Sequence, residues 1–216
     1  MNLSIKAIIF DFDGVILDDA TIKEEAFENF FPSKFDDVVK PILNEHMKKG
    51  RKIVIRECIR AIKQSYQQEL DYDFYLRKYS LLTKEKILNC SEIKGASHAL
   101  NVLSKKYLLF ILTATPDEEI DDIIEKRGLN QFREVIGSNN GTKVELAQKL
   151  FEKYDFKPDE VVYVGDGSND LDCARKLGFE FIGICNQTND FEERDDIKYK
   201  ERDLQNIVSI IEKLTS

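Results

Sequence analysis

Two aspartates one residue apart, Asp11 and Asp13, stand at the end of the first apolar run of the chain. That run, Ile5 to Phe10, is broken only by Lys6 and Ala7, and it reads as a strand buried on both faces. A carboxylate is a poor way to continue such a strand, because an unpaired buried charge is strongly unfavourable. Two of them at i and i+2 point the same way in extended geometry. Like charges that close call for something positive beside them, and a divalent metal meets that need. The plain alternative is that the pair caps a turn before a solvated loop. The C-terminal end of a buried strand, where open α/β sheets place their ligands, favours chemistry instead. Gly14 then lets the chain bend away without a Cβ penalty.

Three further places bear on the same chemistry. Thr113 ends a second apolar run, Tyr107 to Ala114, where a threonine on its own reads as a cap or a ladder residue. Thr115, before Pro116, fits the N-cap of a following helix in a capping-box arrangement, with the proline at the first helical position. Lys143 opens a helix after Ser138-Asn139-Asn140-Gly141-Thr142, and a cation in a first turn opposes the helix dipole. A solvated lysine explains it equally well in a lysine-rich chain. Finally, Val161 to Gly165 runs into Asp166-Gly167-Ser168-Asn169-Asp170, which sets two more carboxylates, Asp166 and Asp170, beyond a strand end. Asp172, in the helix after them, reads as solvated. An EF-hand fails here for want of the spaced loop and its terminal glutamate.

The elements that must position these residues follow from the periodicity. From Ile93 onward strand and helix patterns alternate: a helix near His98 to Lys105, the strand 107–114, and a helix closed by Gly128. Then come a short strand Glu134 to Gly137, a helix from a Thr142/Glu145 capping box through Lys153, and the strand 161–165. A helix from Asn169 to Leu177 closed by Gly178, a strand Phe179 to Cys185 and a terminal helix Leu204 to Leu214 complete it. Such alternation implies an α/β fold, a parallel Rossmann-like sheet with helices on both faces. The interval between is different. Ala26, Phe27, Phe30 and Phe31, then Val38, Val39, Ile42 and Leu43, then Ile55, Cys58, Ile59 and Ile62 all fall at helical spacing, and an amphipathic stretch runs from Tyr72 to Leu88. We therefore expect an α/β core over 1–17 and 93–216, with a helical insertion over 18–92.

With these residues in order, the chain resembles the haloacid dehalogenase superfamily of phosphotransferases. DFDGVILDD is similar to its first motif, Thr113 to its second, Lys143 to its third and Gly165 to Asp170 to its fourth, although a K-P-x-P continuation after the lysine is absent. The resemblance lies with the phosphoglycolate phosphatase and β-phosphoglucomutase branch, in which the insertion is a helical cap. It implies Asp11 as nucleophile, Asp13 as acid and base, and Thr113 and Lys143 as stabilisers of phosphoryl charge. It further implies Mg²⁺ held by Asp11, the Asp13 carbonyl, Asp166 and Asp170 in an oxygen-rich pocket. The implied activity is a Mg²⁺-dependent phosphatase acting on a small phosphorylated metabolite through an aspartyl phosphate. A phosphomutase using the same residues and a catalytically weak binding protein are the alternatives. A receiver domain puts its phosphorylated aspartate on a later strand and has no inserted cap. The cap would offer Lys48, Lys49, Arg51, Lys52 and Arg56 to substrate, or these form a solvated loop; Asp18 and Asp19 lie where a hinge should be.

Composition narrows the partners. At 216 residues, with 42% hydrophobic and 33% charged side chains, the chain fits an ordinary soluble domain plus an inserted module. A net charge of −8 disfavours nucleic acid or anionic membrane as a bulk partner. Four scattered cysteines without C-x-x-C spacing argue against a zinc cluster and for a reducing, cytoplasmic setting. The expected quaternary state is a monomer or homodimer.

Overall fold

The structure, a computed structural model, describes residues 3–46 and 50–215. It divides into two compact units, Met1–Ala20 with Cys90–Ser216, and Thr21–Asn89. The chain opens with β1, Ala7–Phe10, in which every residue is buried. Helices α1 (Ala20–Glu25), α2 (Asp36–His46), α3 (Arg51–Tyr66) and α4 (Tyr72–Asn89) follow. The helical unit is built on an aromatic core: Phe27, Phe30, Phe31 and Phe35 pack with Val54, Ile55, Cys58, Ile62, Tyr75 and Tyr79.

The helical spacing of Ala26 to Phe31 does not correspond to a helix. α1 ends at Glu25, and the chain turns through Asn29, at φ 54°, into a single 3₁₀ turn, Ser33–Phe35. Pro32 disfavours helical geometry in the residue before it. Ring packing decides the rest, since Phe27 and Phe30 meet edge to face at 5.4 Å and Phe31 stacks on Tyr75 at 4.7 Å. The spacing marks side chains that share one core, and tertiary packing overrides the local pattern.

The α/β unit continues with α5 (Ala96–Leu103), β2 (Leu108–Leu112), α6 (Asp117–Arg127), β3 (Glu134–Ile136), α7 (Lys143–Tyr154), β4 (Val161–Gly165), α8 (Ser168–Leu177), β5 (Glu180–Ile184), β6 (Tyr199–Glu201) and α9 (Ile207–Thr215). Its strands form one parallel sheet in the order β3-β2-β1-β4-β5-β6. Alternation along the strands sends Ala7, Ile9, Phe110, Leu112 and Tyr163 to the face covered by Leu146, Ala147 and Leu150 of α7 and Leu171 and Ala174 of α8. Ile8, Phe10, Leu109, Ile111, Val162 and Val164, between them in sequence, are also buried, so helices cover both faces. The sequence signals do not reveal β6. It is three residues long, Tyr-Lys-Glu, on the sheet edge, where half-buried charged side chains carry no apolar signature.

The sheet order reverses at β1. The chain first builds outward through β2 and β3, then returns to the other side of β1 with β4, β5 and β6. Phe10 is in register with Ile111 on one side and Val164 on the other. The residues that follow β1, β2 and β4 therefore emerge together at a switch point, where parallel sheets leave a crevice.

Candidate active site

Asp11 leaves β1 with its N–H donating to the Val164 carbonyl at 2.9 Å, so its backbone is still clamped to β4. Its side chain is buried. Oδ1 accepts from the Phe12 N–H at 2.7 Å, and Oδ2 lies 2.9 Å from Lys143 Nζ. Lys143 is itself buried, as the first residue of α7. The helix is started by a complete capping box, Thr142 with Glu145, which satisfies the first-turn donors locally and leaves the lysine side chain to turn inward. Its second partner is Asp170 Oδ1, at 2.6 Å.

Asp170, fully buried on α8, gathers donors from three elements. Oδ1 accepts from Lys143 and from the Tyr163 hydroxyl of β4 at 2.8 Å, and Oδ2 accepts from the Gly167 N–H at 2.9 Å. Tyr163 was hidden in an apolar strand pattern, where a tyrosine reads as core; only its burial against a carboxylate shows the role of the hydroxyl.

Asp13 is turned to β2. Its Oδ2 accepts from the Thr113 hydroxyl at 3.1 Å and from the Thr115 hydroxyl at 3.0 Å. The expected N-cap role of Thr115 is therefore incorrect. α6 begins at Asp117 with Pro116 at the N-cap position, and no side-chain capping bond is made. The hydroxyl donates to the Asp13 carboxyl oxygen instead of serving at the helix end, so a partner distant in sequence sets its direction.

The turn after Asp13 is held by Gly14, whose N–H donates to the buried Asp19 Oδ1 at 3.0 Å. Gly14 sits at φ +72°, and a Cβ there would stand 2.3 Å from Asp166 Oδ2. Glycine is required twice over, for backbone geometry and for the approach of Asp166. Asp18, by contrast, is exposed, as is Asp172.

Asp11, Asp166 and Asp170 each offer an oxygen within 4.8 Å of the others. Burial raises the Asp11 carboxyl well above its ordinary range, Asp170 adds to the rise, and Lys143 opposes it. Burial, then Asp170, pushes Asp166 up to about 6. Burial would lower the Lys143 ammonium, but the carboxylates of Asp11 and Asp170 outweigh it and hold the group above its usual value. Three carboxyl groups share one ammonium here, so their full ionisation calls for further positive charge. With oxygen donors only, the cluster fits a hard divalent cation such as Mg²⁺ and not a thiophilic one.

In the helical unit, Arg51 lies 5.4 Å from the Tyr79 ring and Arg56 5.7 Å from the Tyr72 ring, cation–π contacts within that unit. Lys52, next to Arg51, lends its carbonyl to the Tyr72 hydroxyl at 3.4 Å. Lys48 and Lys49 lie outside the described residues.

A family model described as haloacid dehalogenase-like hydrolase matches residues 8–184, from β1 to the end of β5. The chain belongs to the haloacid dehalogenase-like hydrolase family. Among curated members, this hydrolase is 25% identical to a phosphorylated carbohydrates phosphatase of Thermotoga maritima, over 86% of this chain and 88% of the relative. It is 26% identical to a phosphoserine phosphatase of Methanocaldococcus jannaschii, over 95% and 97%. Among solved structures, a "predicted phosphoglycolate phosphatase" from Haemophilus somnus superposes with a TM-score of 0.73 at 18% identity, covering 96% of this chain and 98% of that one. Among the described residues no helix of this family member is long and apolar enough to cross a membrane.

Proposed function

We propose that this phosphoric monoester hydrolase is a Mg²⁺-dependent phosphatase of small phosphorylated metabolites that works through an aspartyl phosphate on Asp11. The observation that carries the proposal is a buried carboxylate, Asp11, 2.9 Å from the Lys143 ammonium, with a second carboxylate two residues on held by two hydroxyls. Phosphatase relatives matching more than four fifths of the chain support the reaction class.

Each residue then has a definable task. An Asp11 oxygen attacks phosphorus, forming a P–O bond as the bond to the leaving alcohol breaks. Asp13 gives its proton to that alcohol oxygen and later takes one from the water that hydrolyses the acyl phosphate, which regenerates Asp11. Thr113 and Thr115 hold the Asp13 carboxylate in one rotamer for both transfers. Lys143 favours the ionised form of Asp11 against the effect of burial and offers positive charge to the transferring oxygens. Mg²⁺, held by Asp11, Asp166 and Asp170 with the Asp13 carbonyl, would supply the charge that lets an anionic nucleophile approach an anionic phosphate. To the helical unit we assign the part of a cap that excludes water and selects the leaving group. Four free thiols fit a cytoplasmic setting, and a monomer or homodimer would suffice, as the proposed catalytic residues come from one chain.

The test is phosphate release from a panel of phosphorylated metabolites, with Mg²⁺ and with EDTA. Turnover that requires the metal and favours one or two compounds supports the reading; metal-independent turnover overturns it. Two further outcomes are expected. Mg²⁺ should raise the thermal unfolding midpoint by several degrees, reversibly with EDTA, because it binds only the folded cluster. Thr113→Val and Thr115→Val should each lower kcat about tenfold or more, the worth of one hydrogen bond to a charged group, with KM changed little. An unchanged kcat in both variants would remove Asp13 positioning from the mechanism.

A further inference from the structure

Beyond β5 the chain carries Asn186, Thr188 and Asn189, none of which the mechanism above uses. Asn186 Nδ2 donates to Asp166 Oδ2 at 2.6 Å. The amide can face only this way. Its Oδ1 accepts from both the Thr188 N–H at 2.9 Å and the Thr188 hydroxyl at 2.8 Å, and a backbone N–H can only donate. Asn189 grips the main chain of the same aspartate: Nδ2 donates to the Asp166 carbonyl at 3.0 Å and to the Ile184 carbonyl at 2.9 Å, while Oδ1 accepts from the Phe191 N–H at 3.1 Å.

We infer that Asn186 is a positioning residue for Asp166, fixing the rotation of its carboxylate toward the metal through a donor whose direction Thr188 sets. The inference rests on the proposed Mg²⁺ site. An asparagine whose role is only to shape the turn needs Oδ1 alone, the acceptor of an Asx turn. The Nδ2 bond is additional, and it reaches a residue twenty positions away on a neighbouring strand end. It also opposes the upward push that burial and Asp170 exert on Asp166, because a donor to the carboxylate favours the ionised form. Gly14 belongs to the same device, since a Cβ there would stand 3.2 Å from Asn186 Nδ2 as well as against Asp166. Partners that orient a metal ligand typically contribute about 10–100-fold to metal affinity.

The experiment is titration calorimetry of the metal-free protein with MgCl₂, for wild type, Asn186→Ala and Thr188→Val, alongside thermal unfolding in EDTA and steady-state kinetics. Asn186→Ala should raise the Kd for Mg²⁺ about 10–100-fold. Its turnover at limiting Mg²⁺ should fall in step with the weaker binding and recover as Mg²⁺ is raised, and its midpoint in EDTA should move little. Thr188→Val, which removes one of the two donors that orient the amide and leaves the loop backbone intact, should raise Kd by a smaller factor. It carries the test should Asn186→Ala fail to fold. A wild-type Kd in Asn186→Ala, or, if that variant does not fold, in Thr188→Val, overturns the inference. So does a rise in Kd accompanied by an equal loss of stability in EDTA, the mark of a purely structural role. Absence of Mg²⁺ binding in wild type would overturn the metal reading itself, and this inference with it.

Discussion

Asp11→Asn is expected to abolish phosphatase turnover while leaving the stability of the metal-free protein near that of wild type. The substitution is isosteric, so the β1–β4 clamp through the residue 11 N–H stays in place, but one amide oxygen replaces two carboxylate acceptors: it keeps the Lys143 contact only by turning the amide nitrogen to the Phe12 N–H. What disappears is the nucleophile. Loss of a nucleophile typically lowers kcat on the order of 10⁴-fold or more. Stability should change little, because relief from burying a charge beside Asp170 offsets the lost acceptor for the Phe12 N–H. Acid-quenched single turnovers with phosphate-labelled substrate would check the chemistry, with label bound to wild-type protein and none to the variant. Urea unfolding in EDTA would check the stability. Turnover surviving at a tenth of wild type would exclude Asp11 as nucleophile.

Lys143→Met should be damaging on both counts. Methionine nearly matches the lysine stem in volume, so packing beside α8 is largely kept, but the ammonium bridging Asp11 and Asp170 is gone. Removing one partner of a buried ion pair leaves uncompensated charge and costs about 3–5 kcal/mol. We expect that loss in EDTA, and a partial recovery with Mg²⁺, because a divalent cation would answer the same negative charge. Activity should fall by about 10²–10³-fold at saturating metal, the range for removing one charge stabiliser of a transition state. Denaturant midpoints with and without Mg²⁺, beside kcat, separate the two effects. If Lys143→Met were as stable as wild type in EDTA, the carboxylates would have to be protonated already, and the ionised Asp11–Lys143 pair at the centre of the mechanism would be lost.

How the fold was legible, and where it stopped being so, follows from the range of the forces involved. The parallel α/β architecture was visible because buried strands need contiguous apolar residues and helices need a 3.6-residue stripe, both local demands. The Thr142–Glu145 box and the glycine closing α8 at φ +74° are likewise settled within a few residues. The aromatic turn after α1 and the charged edge strand β6 escaped, because in both cases partners distant in sequence decide the conformation.

In the site the same line can be drawn residue by residue. The sequence alone determined that carboxylates stand at the ends of two buried strands, with a threonine and a lysine at the ends or starts of neighbouring elements. A charge beside a buried run must be accounted for wherever the chain goes. Tertiary structure decided which groups meet. It turned Thr115 from a helix cap into a donor to Asp13, put the hydroxyl of a core tyrosine, Tyr163, on Asp170, and carried the Asn186 amide from the end of β5 to Asp166. Hydrogen bonds are effective only within about 3 Å and along fixed directions. Sequence spacing therefore places residues on an element, and only the packed sheet sets the distances and angles on which their chemistry depends.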